Sequence, residues 1–457
     1  MLKFNHEIFK AYDIRGIFNR DFDSNFAYHL GQTFTAFINK INNKENNKIS
    51  IVVGRDMRLS SKEISDSLIS GLIDSGVEVL DIGLVSTPTF YFAVSYLNAD
   101  GGLIVSASHN PKEWNGFKVV SEKAKPIGYE TGLDWILSNF INNKTKKGGG
   151  NYKKIDNILE KQFIHDLNYI NKEKVNNFKI VADAANSMGA PYLKKLANKL
   201  NIELKELNFK LDGNFPAHEA DPLKDENLEE IKNYIKTNKV DLGISTDGDG
   251  DRVFFLDELG ELISPAIIRG VLAKIFLKEK PGSKIAYDVR PGKITEDLII
   301  ENGGRPVITK VGHSLIKRQM IDEDIYFAGE SSGHFFLNLK SGCFEMPVII
   351  IAKLLEELSE KKVTASEYFS KYNKYFHSGE INRLVNNKEE TINKIATIYS
   401  DGKISKLDGI SITYPNFWFN IRASNTENKL RLNLEAIDKE TMLKKRDEIL
   451  NIIEENN

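Results

Sequence analysis

Cysteine and long hydrophobic runs are nearly absent from this chain. Cys343 is its single cysteine, so the chain forms no intrachain disulfide and offers no thiolate metal cluster. The opening residues, MLKFNHEIFKAYDIRG, hold no apolar core of signal-peptide length, and Lys353 interrupts the apolar run MPVIIIAKLL. We therefore expect a soluble, cytoplasmic protein with no membrane partner.

An excess of either charge is missing as well. The chain carries 62 Lys and Arg against 64 Asp and Glu, a net charge of -2. This balance argues against nucleic acid or a membrane surface as the main partner. The hydrophobic share of 41% is ordinary for a globular chain, and 457 residues are too many for one ordinary core. Three or four domains are expected.

A strand, an aspartate, a helix and a second strand follow one another three times. The units read ISIVVGRDMRLSSKEISDSLISGLIDSGVEVLDIG, FKIVADAANSMGAPYLKKLANKLNIELKELN and SKIAYDVRPGKITEDLIIENGGRPVITKVG, with Asp56, Asp183 and Asp288 after the first strands. Units of this length predict parallel strands joined by right-handed crossovers. Their separation of about a hundred residues predicts three similar α/β domains.

The helix of the first unit has one apolar face at helical spacing. Ser60 and Glu63 before and within it have the spacing of a capping box. The apolar face consists of Ile64, Leu68, Ile69, Leu72 and Ile73.

Composition changes mark the domain boundaries. The polar, glycine-rich stretch INNKTKKGGGNYKK, residues 141–154, is the best linker candidate. The last segment reads as strand, loop, strand and helix, which is typical of a small α+β domain. We predict domains at residues 1–152, 153–255, 256–368 and 369–457: three similar mixed-sheet α/β domains and a smaller C-terminal α+β domain.

The stretch IVSASHNPKEWNGFKVV interrupts a predicted strand with a serine beside a histidine. Apolar residues end at Val105, the polar residues SASHNP follow, and an apolar strand resumes at Gly116. One interpretation is a plain turn, since Ser, Asn and Pro favour turns. The other is a nucleophile, Ser108, held at the end of a strand and exposed at a cleft. The stretch alone supports either.

The stretch DLGISTDGDGDRVFFLD places Asp247, Asp249 and Asp251 at alternate positions. Three converging carboxylates repel one another, so a hard divalent cation is their natural partner. An EF-hand is disfavoured, because Arg252 stands where its glycine belongs and both flanks read as strands. A polar Asp-Gly hairpin turn stays an alternative. Arg252 adds a cation that could face a phosphate.

Two further loops carry groups suited to a phosphorylated sugar. One, FAGESSGHFFL, offers side chains that can hydrogen-bond hydroxyls, and the other, NIRASNTENKL, offers a guanidinium and hydroxyls that suit a phosphate. Each loop alone could be an ordinary solvated turn. The side chains concerned are Glu330, Ser332 and His334 in the first loop and Arg422, Ser424, Asn425 and Thr426 in the second.

Weaker candidates lie elsewhere: Tyr12 and Arg15 in AYDIRG, and His313 in KVGHSLIKRQ. The joint pattern is stronger than its parts. A serine, an acidic metal loop, a hydroxyl-binding loop and a phosphate loop occur once each, one in every predicted domain. Together they indicate phosphoryl transfer to or from a phosphorylated sugar.

In this combination the chain resembles the α-D-phosphohexomutases, and most closely their bacterial phosphomannomutase/phosphoglucomutase branch. The matching motifs are YDIRG, SASHNP, NGFK, DGDGDR, KVGHS, GESSGH and RASNTEN, in order from Tyr12 to Asn428. The resemblance implies a heart-shaped, four-domain molecule with the active site in a central cleft. It also implies interconversion of hexose 1-phosphates and 6-phosphates of mannose or glucose through a 1,6-bisphosphate.

The resemblance further implies a role for each motif residue. Ser108 would carry a phosphoryl group, and Mg²⁺ would be held by the three aspartates and a phosphoserine oxygen. Glucose 1,6-bisphosphate would activate the enzyme, hexose phosphates would be its small-molecule partners, and we expect a monomer. Lys118 would act as acid/base or charge stabiliser, with His334 or His313 as rival proton carriers. The substrate would be contacted by Tyr12, Arg15, His109, His313, Glu330, Ser332, Arg422, Ser424, Asn425 and Thr426.

The chain departs from the family pattern at two places. Asn428 stands where a proline is usual, and LNLKSGCFEMPVIIIAKLL lacks the usual acidic Asp-Gly element. Three rivals stay open: a phosphoglucosamine mutase, a metal-dependent sugar-phosphate phosphatase and a non-catalytic sugar-phosphate sensor. Asn425 favours the phosphomannomutase branch, because the glucosamine branch usually has glycine there. A haloacid-dehalogenase-type phosphatase is excluded, because Arg252 stands where its motif needs Thr or Val.

Overall fold

The computed structural model describes residues 4–43, 49–140, 148–290, 292–424 and 428–455. Two compact units emerge from its packing. The first unit comprises Met1–Ile263, Met320–Asp324 and Ser332–Ser366. The second unit comprises Ser264–Gln319, Ile325–Ser331 and Glu367–Asn457.

The first unit begins with a mixed sheet covered by helices. Its strands are β1 Ile14–Ile17, β2 Ser50–Arg55, β3 Glu78–Leu84, β4 Gly101–Val105, β5 Trp114–Ser121 and β6 Asn151–Lys154. The helices are α1 Ser24–Asn42, α2 Ser61–Asp74, α3 Thr87–Tyr96 and α4 Leu133–Asn139. The strand order is β1-β5-β4-β2-β3-β6. β2 pairs in parallel with β3 and β4, and β5 returns antiparallel to β4.

The close approach of α1 and α2 depends on glycine. A Cβ atom at Gly71 would lie 2.0 Å from the carbonyl oxygen of Tyr28, and one at Gly31 would lie 2.7 Å from that of Leu68. Any larger residue would push these helices apart. The predicted apolar face of α2 is confirmed, because Ile64, Leu68 and Leu72 are fully buried in the core of this sheet.

A second sheet of the first unit carries the acidic loop. Its elements are α5 Ile158–Asp166, β7 Lys179–Asp183, α6 Gly189–Leu200, β8 Glu203–Leu207, α7 Glu229–Thr237, β9 Leu242–Thr246 and β10 Val253–Leu256. The strand order is β10-β9-β7-β8. β7 is parallel to β8 and β9, whereas β9 and β10 form an antiparallel hairpin.

The next segment of the chain continues the α/β pattern. Its elements are α8 Pro265–Glu279, β11 Lys284–Asp288, α9 Lys293–Glu301, β12 Arg305–Thr309, α10 His313–Asp322, β13 Phe327–Gly329, β14 Phe335–Leu339, β15 Gly342–Glu345 and α11 Pro347–Lys361. β11 is parallel to both β12 and β13, and β14 and β15 form an antiparallel hairpin. The three predicted strand–helix–strand units are therefore confirmed, with parallel strands in each.

The C-terminal part is an antiparallel sheet with helices. Its elements are α12 Ala365–Ser370, β16 Phe376–His377, β17 Ile381–Leu384, α13 Lys388–Ile398, β18 Lys403–Ser405, β19 Ile410–Thr413, β20 Phe417–Ala423, β21 Lys429–Ala436 and α14 Lys439–Glu454. The strand order is β16-β21-β20-β19-β18, and β17 also pairs with β21. The predicted α+β architecture of this segment is confirmed.

Two local predictions are wrong. Ser60 has helical backbone angles and makes no cap hydrogen bond, because its hydroxyl accepts from Asn115 instead. The end of the predicted linker is the strand β6, whose backbone pairs in parallel with β3. Residues 141–147 of that linker lie outside the described residues. Across the described ranges, no helix combines the length and the apolar character needed to cross a membrane.

Candidate active site

Ser108 occupies the loop between β4 and β5 of the first unit. Its φ of 51° is unusual for a residue other than glycine, and its backbone N–H donates to Ser106 Oγ at 3.0 Å. Its hydroxyl donates to Asp247 Oδ2 at 3.0 Å and lies 3.2 Å from His109 Nδ1. The expectation of an exposed serine is wrong, because Ser108 is only 1% exposed. The acidic loop packs closely against Ser108, because a Cβ at Gly248 would lie only 2.2 Å from the Ser108 carbonyl oxygen.

The hairpin between β9 and β10 brings three carboxylates together. Asp247, Asp249 and Asp251 each offer an oxygen within 4.8 Å of the others, and all three are 2% exposed or less. A solvated hairpin turn would leave such acids in water, so that alternative does not describe this loop. Gly250 has a φ of 73°, a conformation that glycine adopts without strain.

Lys118 on β5 projects into this acidic group. Its Nζ lies 2.7 Å from Asp249 Oδ2 and 2.5 Å from Asp251 Oδ2. Burial lowers the pKa of Lys118, but the two carboxylates outweigh burial and hold that pKa well above its ordinary value. Lys118 is therefore a cation in this arrangement, which favours charge stabilisation over action as a base.

His334 and Arg252 flank the acids in the same unit. His334 Nε2 lies 3.1 Å from Asp251 Oδ1, and its Nδ1 lies 2.9 Å from Ser332 Oγ. Burial raises the pKa of Asp251, but Lys118 and His334 outweigh it and hold that pKa well below its usual range. Arg252 is buried, and its guanidinium lies 3.7 Å from a carboxylate oxygen of Asp247.

These acids fit a hard divalent cation. Asp249 Oδ1 is buried and, within the described residues, accepts no hydrogen bond. Burial, and then the charges of Asp251 and Asp249, raise the pKa of Asp247 well above its usual range. A buried set of carboxylate oxygens that repel one another is the ligand set that Mg²⁺ and Ca²⁺ prefer.

The residues Tyr12 and Arg15 lie at the start of the first unit. Arg15 donates through Nε to Asp13 Oδ2 and through Nη1 to Asn110 Oδ1, both at 2.7 Å. The bond to Asn110 connects Arg15 to the loop that carries Ser108. Tyr12 is half-buried in the bend that precedes β1.

Glu330 and His313 belong to the second unit. Glu330 follows β13 and is buried; its Oε1 accepts from the backbone N–H of Gly312 at 3.0 Å and lies 3.1 Å from Arg290 Nη2. His313 is the first residue of α10 and directly follows Gly312. The structure therefore brings the Glu330 loop and the start of α10 together.

Arg422 and Ser424 lie at the end of β20 in the same unit. Arg422 Nη2 donates to Glu380 Oε2 at 2.5 Å, and Ser424 is buried. Asn425 and Thr426 lie outside the described residues.

Sequence reasoning missed several buried groups. Glu345 is fully buried and has an oxygen within 4.8 Å of ligand atoms of Asp251 and His334. Glu345 lies in the segment that lacks the usual acidic Asp-Gly element, and it was not among the predicted site residues. The sequence signal that could have identified Glu345 was a single glutamate within an apolar stretch. Arg58 and Thr87 were missed too, and each touches a predicted site residue.

Thr87, at the start of α3, holds Asp249 in place. Its hydroxyl donates to Asp249 Oδ2 at 2.6 Å, and its backbone N–H donates to the Asp249 carbonyl oxygen at 2.9 Å. We expect Thr87→Val to weaken Mg²⁺ binding about fivefold, the equivalent of one ordinary hydrogen bond. Isothermal titration with Mg²⁺ measures this. Thr89→Val is the matched control, because the Thr89 hydroxyl donates to Gln162 instead; equal weakening by both variants would contradict the expectation.

His218 links two loops of the first unit. Its Nε2 lies 2.9 Å from the buried Asp183 Oδ2, and its Nδ1 lies 2.9 Å from the Glu219 carbonyl oxygen. Burial lowers the pKa of His218, but the hydrogen bond and charge of Asp183 outweigh it and raise that pKa above 6.5. The resulting stabilisation is complete below the unfolded-state pKa and is lost as pH rises through the folded-state pKa.

We accordingly expect the Tm advantage of the wild type over His218→Gln to shrink as pH rises above about 6.5. Thermal unfolding at a series of pH values measures it. His6→Gln, at an exposed position, is the control for the replacement of a histidine by glutamine. An advantage that grows with pH would contradict the assignment.

Four family models match in order: phosphoglucomutase/phosphomannomutase alpha/beta/alpha domain I at residues 6–147, domain II at 155–260, domain III at 265–375 and the C-terminal domain at 380–452. Together they span most of the chain.

Curated relatives match over nearly full length. A phosphomannomutase of Methanocaldococcus jannaschii is 40% identical over 452 residues, 98% of this chain and 97% of the relative. A phosphomannomutase/phosphoglucomutase of Pseudomonas aeruginosa is 34% identical over 440 residues, 95% of this chain and 93% of the relative. A crystal structure of a phosphoglucomutase/phosphomannomutase family protein from Burkholderia thailandensis matches with a TM-score of 0.88 and 29% identity, covering 99% of this chain and 98% of that one. This chain belongs to the phosphoglucomutase/phosphomannomutase family.

Proposed function

We propose that this chain is a phosphohexomutase that interconverts hexose 1-phosphate and hexose 6-phosphate, with mannose, glucose or both as the sugar. The single observation that carries the proposal is the contact of Ser108 Oγ with Asp247 inside a buried group of three carboxylates. A hydroxyl in that position can carry a phosphoryl group beside a divalent cation. The names of full-length relatives add mannose and glucose phosphates as the substrate class.

The proposed reaction consists of two transfers. In the first, the bond between Ser108 Oγ and phosphorus breaks while a sugar hydroxyl oxygen bonds to phosphorus and loses its proton. The product is a hexose 1,6-bisphosphate, and the freed Ser108 oxygen takes up a proton. In the second, Ser108 Oγ gives up its proton and bonds to the other phosphorus, while the bond from that phosphorus to its sugar oxygen breaks and this oxygen takes up a proton. Two transfers in opposite directions account for a net isomerisation with no phosphate released.

The charged residues have distinct proposed tasks. The protonated Lys118 and the Arg252 guanidinium offset negative charge on the transferring phosphoryl group. His334, bonded to Ser332 and beside Asp251, is the proposed proton carrier, with Lys118 and His313 as rivals. Mg²⁺, held by the three aspartates and a phosphoserine oxygen, would supply further charge neutralisation.

Two groups of residues are proposed to contact the sugar and its phosphate. Glu330 and Ser332 would accept hydrogen bonds from sugar hydroxyls. Arg422 and Ser424, with Asn425 and Thr426, would hold the phosphate that is not being transferred. Tyr12, Arg15, His109 and His313 are proposed as further substrate contacts. The division into four domains at residues 1–152, 153–255, 256–368 and 369–457 also stays a prediction.

Glucose 1,6-bisphosphate is the proposed activator, because it can restore a phosphoryl group to Ser108. A monomeric, cytoplasmic enzyme that acts on hexose phosphates completes the proposal. The test supplies mannose 1-phosphate, glucose 1-phosphate or glucosamine 1-phosphate with Mg²⁺ and a trace of glucose 1,6-bisphosphate. Formation of the corresponding 6-phosphate and of free phosphate is measured.

We expect conversion of the mannose and glucose phosphates without free phosphate. Preferred conversion of the amino sugar would transfer the protein to the phosphoglucosamine mutases. Release of phosphate without isomerisation would overturn the mutase proposal and leave a phosphatase. Binding of hexose phosphate with neither reaction would leave a sensor.

A further inference from the structure

Arg58 is hydrogen-bonded to the backbone of the loop that carries Ser108. It is 2% exposed and follows β2 in the first unit. Its Nη2 donates to the carbonyl oxygens of Ser108 at 2.8 Å and Asn110 at 2.6 Å. Its Nη1 donates to those of Pro111 at 2.7 Å and Trp114 at 3.0 Å. One guanidinium therefore binds three carbonyls of the loop between β4 and β5 and the carbonyl of the first residue of β5.

The fifth donor of Arg58 faces a carboxylate. Its Nε lies 3.2 Å from Asp56 Oδ2, and both side chains are fully buried. Asp56 Oδ1 accepts from the Arg58 backbone N–H at 3.0 Å and from the Ser61 hydroxyl at 2.5 Å. An arginine has five N–H donors: the four on Nη1 and Nη2 all bind carbonyl oxygens, whereas Nε makes an ion pair with Asp56 and, within the described residues, no hydrogen bond. Lysine has three donors on one atom and cannot reproduce this fork.

The loop needs such a support. Ser108 is held at a φ of 51°, which a serine adopts at a cost. Carbonyl groups buried in an irregular loop have no strand ladder to bind them, so they need other donors. The described backbone bonds of the loop include Asn110 N–H to the Ala107 oxygen and Trp114 N–H to the Pro111 oxygen. Arg58 donates to four carbonyl oxygens that lie within these two turns or at their ends.

A second loop covers the Arg58 guanidinium. The Phe215 ring lies over it, with 5.0 Å between the guanidinium carbon and the ring centroid. Two residues before Phe215, a Cβ at Gly213 would come within 2.6 Å of the Leu59 nitrogen and 2.8 Å of the Met57 oxygen, so this loop packs closely on the backbone around Arg58. The guanidinium is thus closed off from water on this side, which strengthens its hydrogen bonds to the loop.

We propose that Arg58 is a positioning residue for phosphoryl transfer: it holds the Ser108 loop, through its backbone carbonyls, in the conformation that presents Ser108 Oγ to the acidic group. This inference rests on the proposed function, because it assigns a partner to the proposed phosphoryl carrier. A positioning residue of this kind acts on the transfer step. Its loss should therefore lower kcat while the KM for hexose phosphate changes little.

The test compares wild type, Arg58→Lys and Arg58→Ala. We expect Arg58→Lys to lower kcat about 10²-fold with KM within about threefold, and to slow the transfer of phosphate from glucose 1,6-bisphosphate to Ser108 equally. Rapid-quench mass spectrometry measures that single transfer. Added guanidinium ion is expected to restore part of the rate in Arg58→Ala and none in Ser108→Ala, a result that a purely structural role would not give.

Two further variants separate positioning from stability. Leu72→Ala removes a buried side chain from the same unit; it should lower Tm and leave the transfer rate within about twofold of wild type at a temperature where the protein is folded. Asp56→Asn keeps the arginine and removes only the carboxylate facing Nε; it should slow transfer about tenfold. If Arg58→Lys does not fold, Asp56→Asn carries the test.

The outcomes distinguish the two levels of the proposal. Transfer at the wild-type rate in a folded Arg58→Lys or Asp56→Asn variant would overturn the positioning role and leave the mutase proposal intact. An equal slowing by Leu72→Ala would overturn it as well, because general destabilisation would then suffice. A wild-type protein that gains no phosphoryl group on Ser108 would overturn both.

Discussion

Ser108→Ala is expected to abolish mutase turnover, lowering kcat by about 10⁴-fold or more. The hydroxyl is the only group at this position that can carry the phosphoryl group between the two transfers. Alanine keeps the backbone donors and acceptors of the loop, and the change removes one buried oxygen that donates to Asp247. The measurement is conversion of hexose 1-phosphate to 6-phosphate, together with the intact mass of the protein after incubation with glucose 1,6-bisphosphate.

Ser106 offers a matched control in the same loop. It is as deeply buried as Ser108, and its hydroxyl accepts from the Ser108 backbone N–H. Ser106→Ala should therefore disturb the loop and still gain one phosphoryl group. Ser108→Ala should gain none. Phosphorylation of the Ser108→Ala variant, or turnover within tenfold of wild type, would show that another residue carries the group.

The acidic loop was predictable because its geometry is local. Alternating aspartates on a short hairpin must lie close together whatever the rest of the chain does. The sequence therefore predicts the convergence of Asp247, Asp249 and Asp251, which the structure confirms. Their neighbours were harder to predict: Thr87 reaches Asp249 from 162 positions away, and Lys118 reaches Asp251 from 133. Such contacts depend on how elements pack, which residue spacing does not specify.

The sequence shows the repeated aspartates, but it does not show which side chains they contact in the fold. Asp56 directly follows β2, and Asp183 and Asp288 are the last residues of β7 and β11. All three are fully buried, and each lies beside a basic side chain: Asp56 beside Arg58, Asp183 beside His218 and Asp288 beside Arg290. A charge at the end of a buried strand needs such a partner. Spacing along the chain indicated the acids, whereas only the fold reveals that Arg58 and Arg290 extend to the Ser108 and Glu330 loops.

The wrong predictions have tertiary causes. Ser60 and Glu63 have capping-box spacing, but Asn115 on the returning strand binds the Ser60 hydroxyl, and Ser24 binds Glu63. Tertiary partners thus replace the local cap. The polar residues of β6 predict coil, yet the strand pairs with the edge of β3 and leaves all its side chains exposed. A strand held only by backbone hydrogen bonds has no apolar pattern to predict it.

The second large effect concerns Lys118, whose ammonium group contacts one carboxylate oxygen of Asp249 and one of Asp251, two of the acids that would hold a cation. Lys118→Met keeps the length of the side chain and removes its charge. Without a cation, three buried carboxylates then lose their strongest compensation, and the variant should unfold at a lower temperature than wild type when Mg²⁺ is absent. Mg²⁺ should recover most of that loss, because it supplies positive charge to the same group of carboxylates.

Metal affinity and catalysis should then change in opposite directions. Lys118→Met should bind Mg²⁺ about tenfold more tightly, since no ammonium competes for Asp249 and Asp251, while kcat falls about 10³-fold because a cation that offsets phosphoryl charge is missing. Isothermal titration and steady-state turnover at saturating Mg²⁺ measure the two effects. Lys118→Arg keeps the charge and should leave Mg²⁺ affinity near that of wild type. Weaker Mg²⁺ binding by Lys118→Met would mean that Lys118 supports the metal site, and an unchanged kcat would remove it from the transfer step altogether.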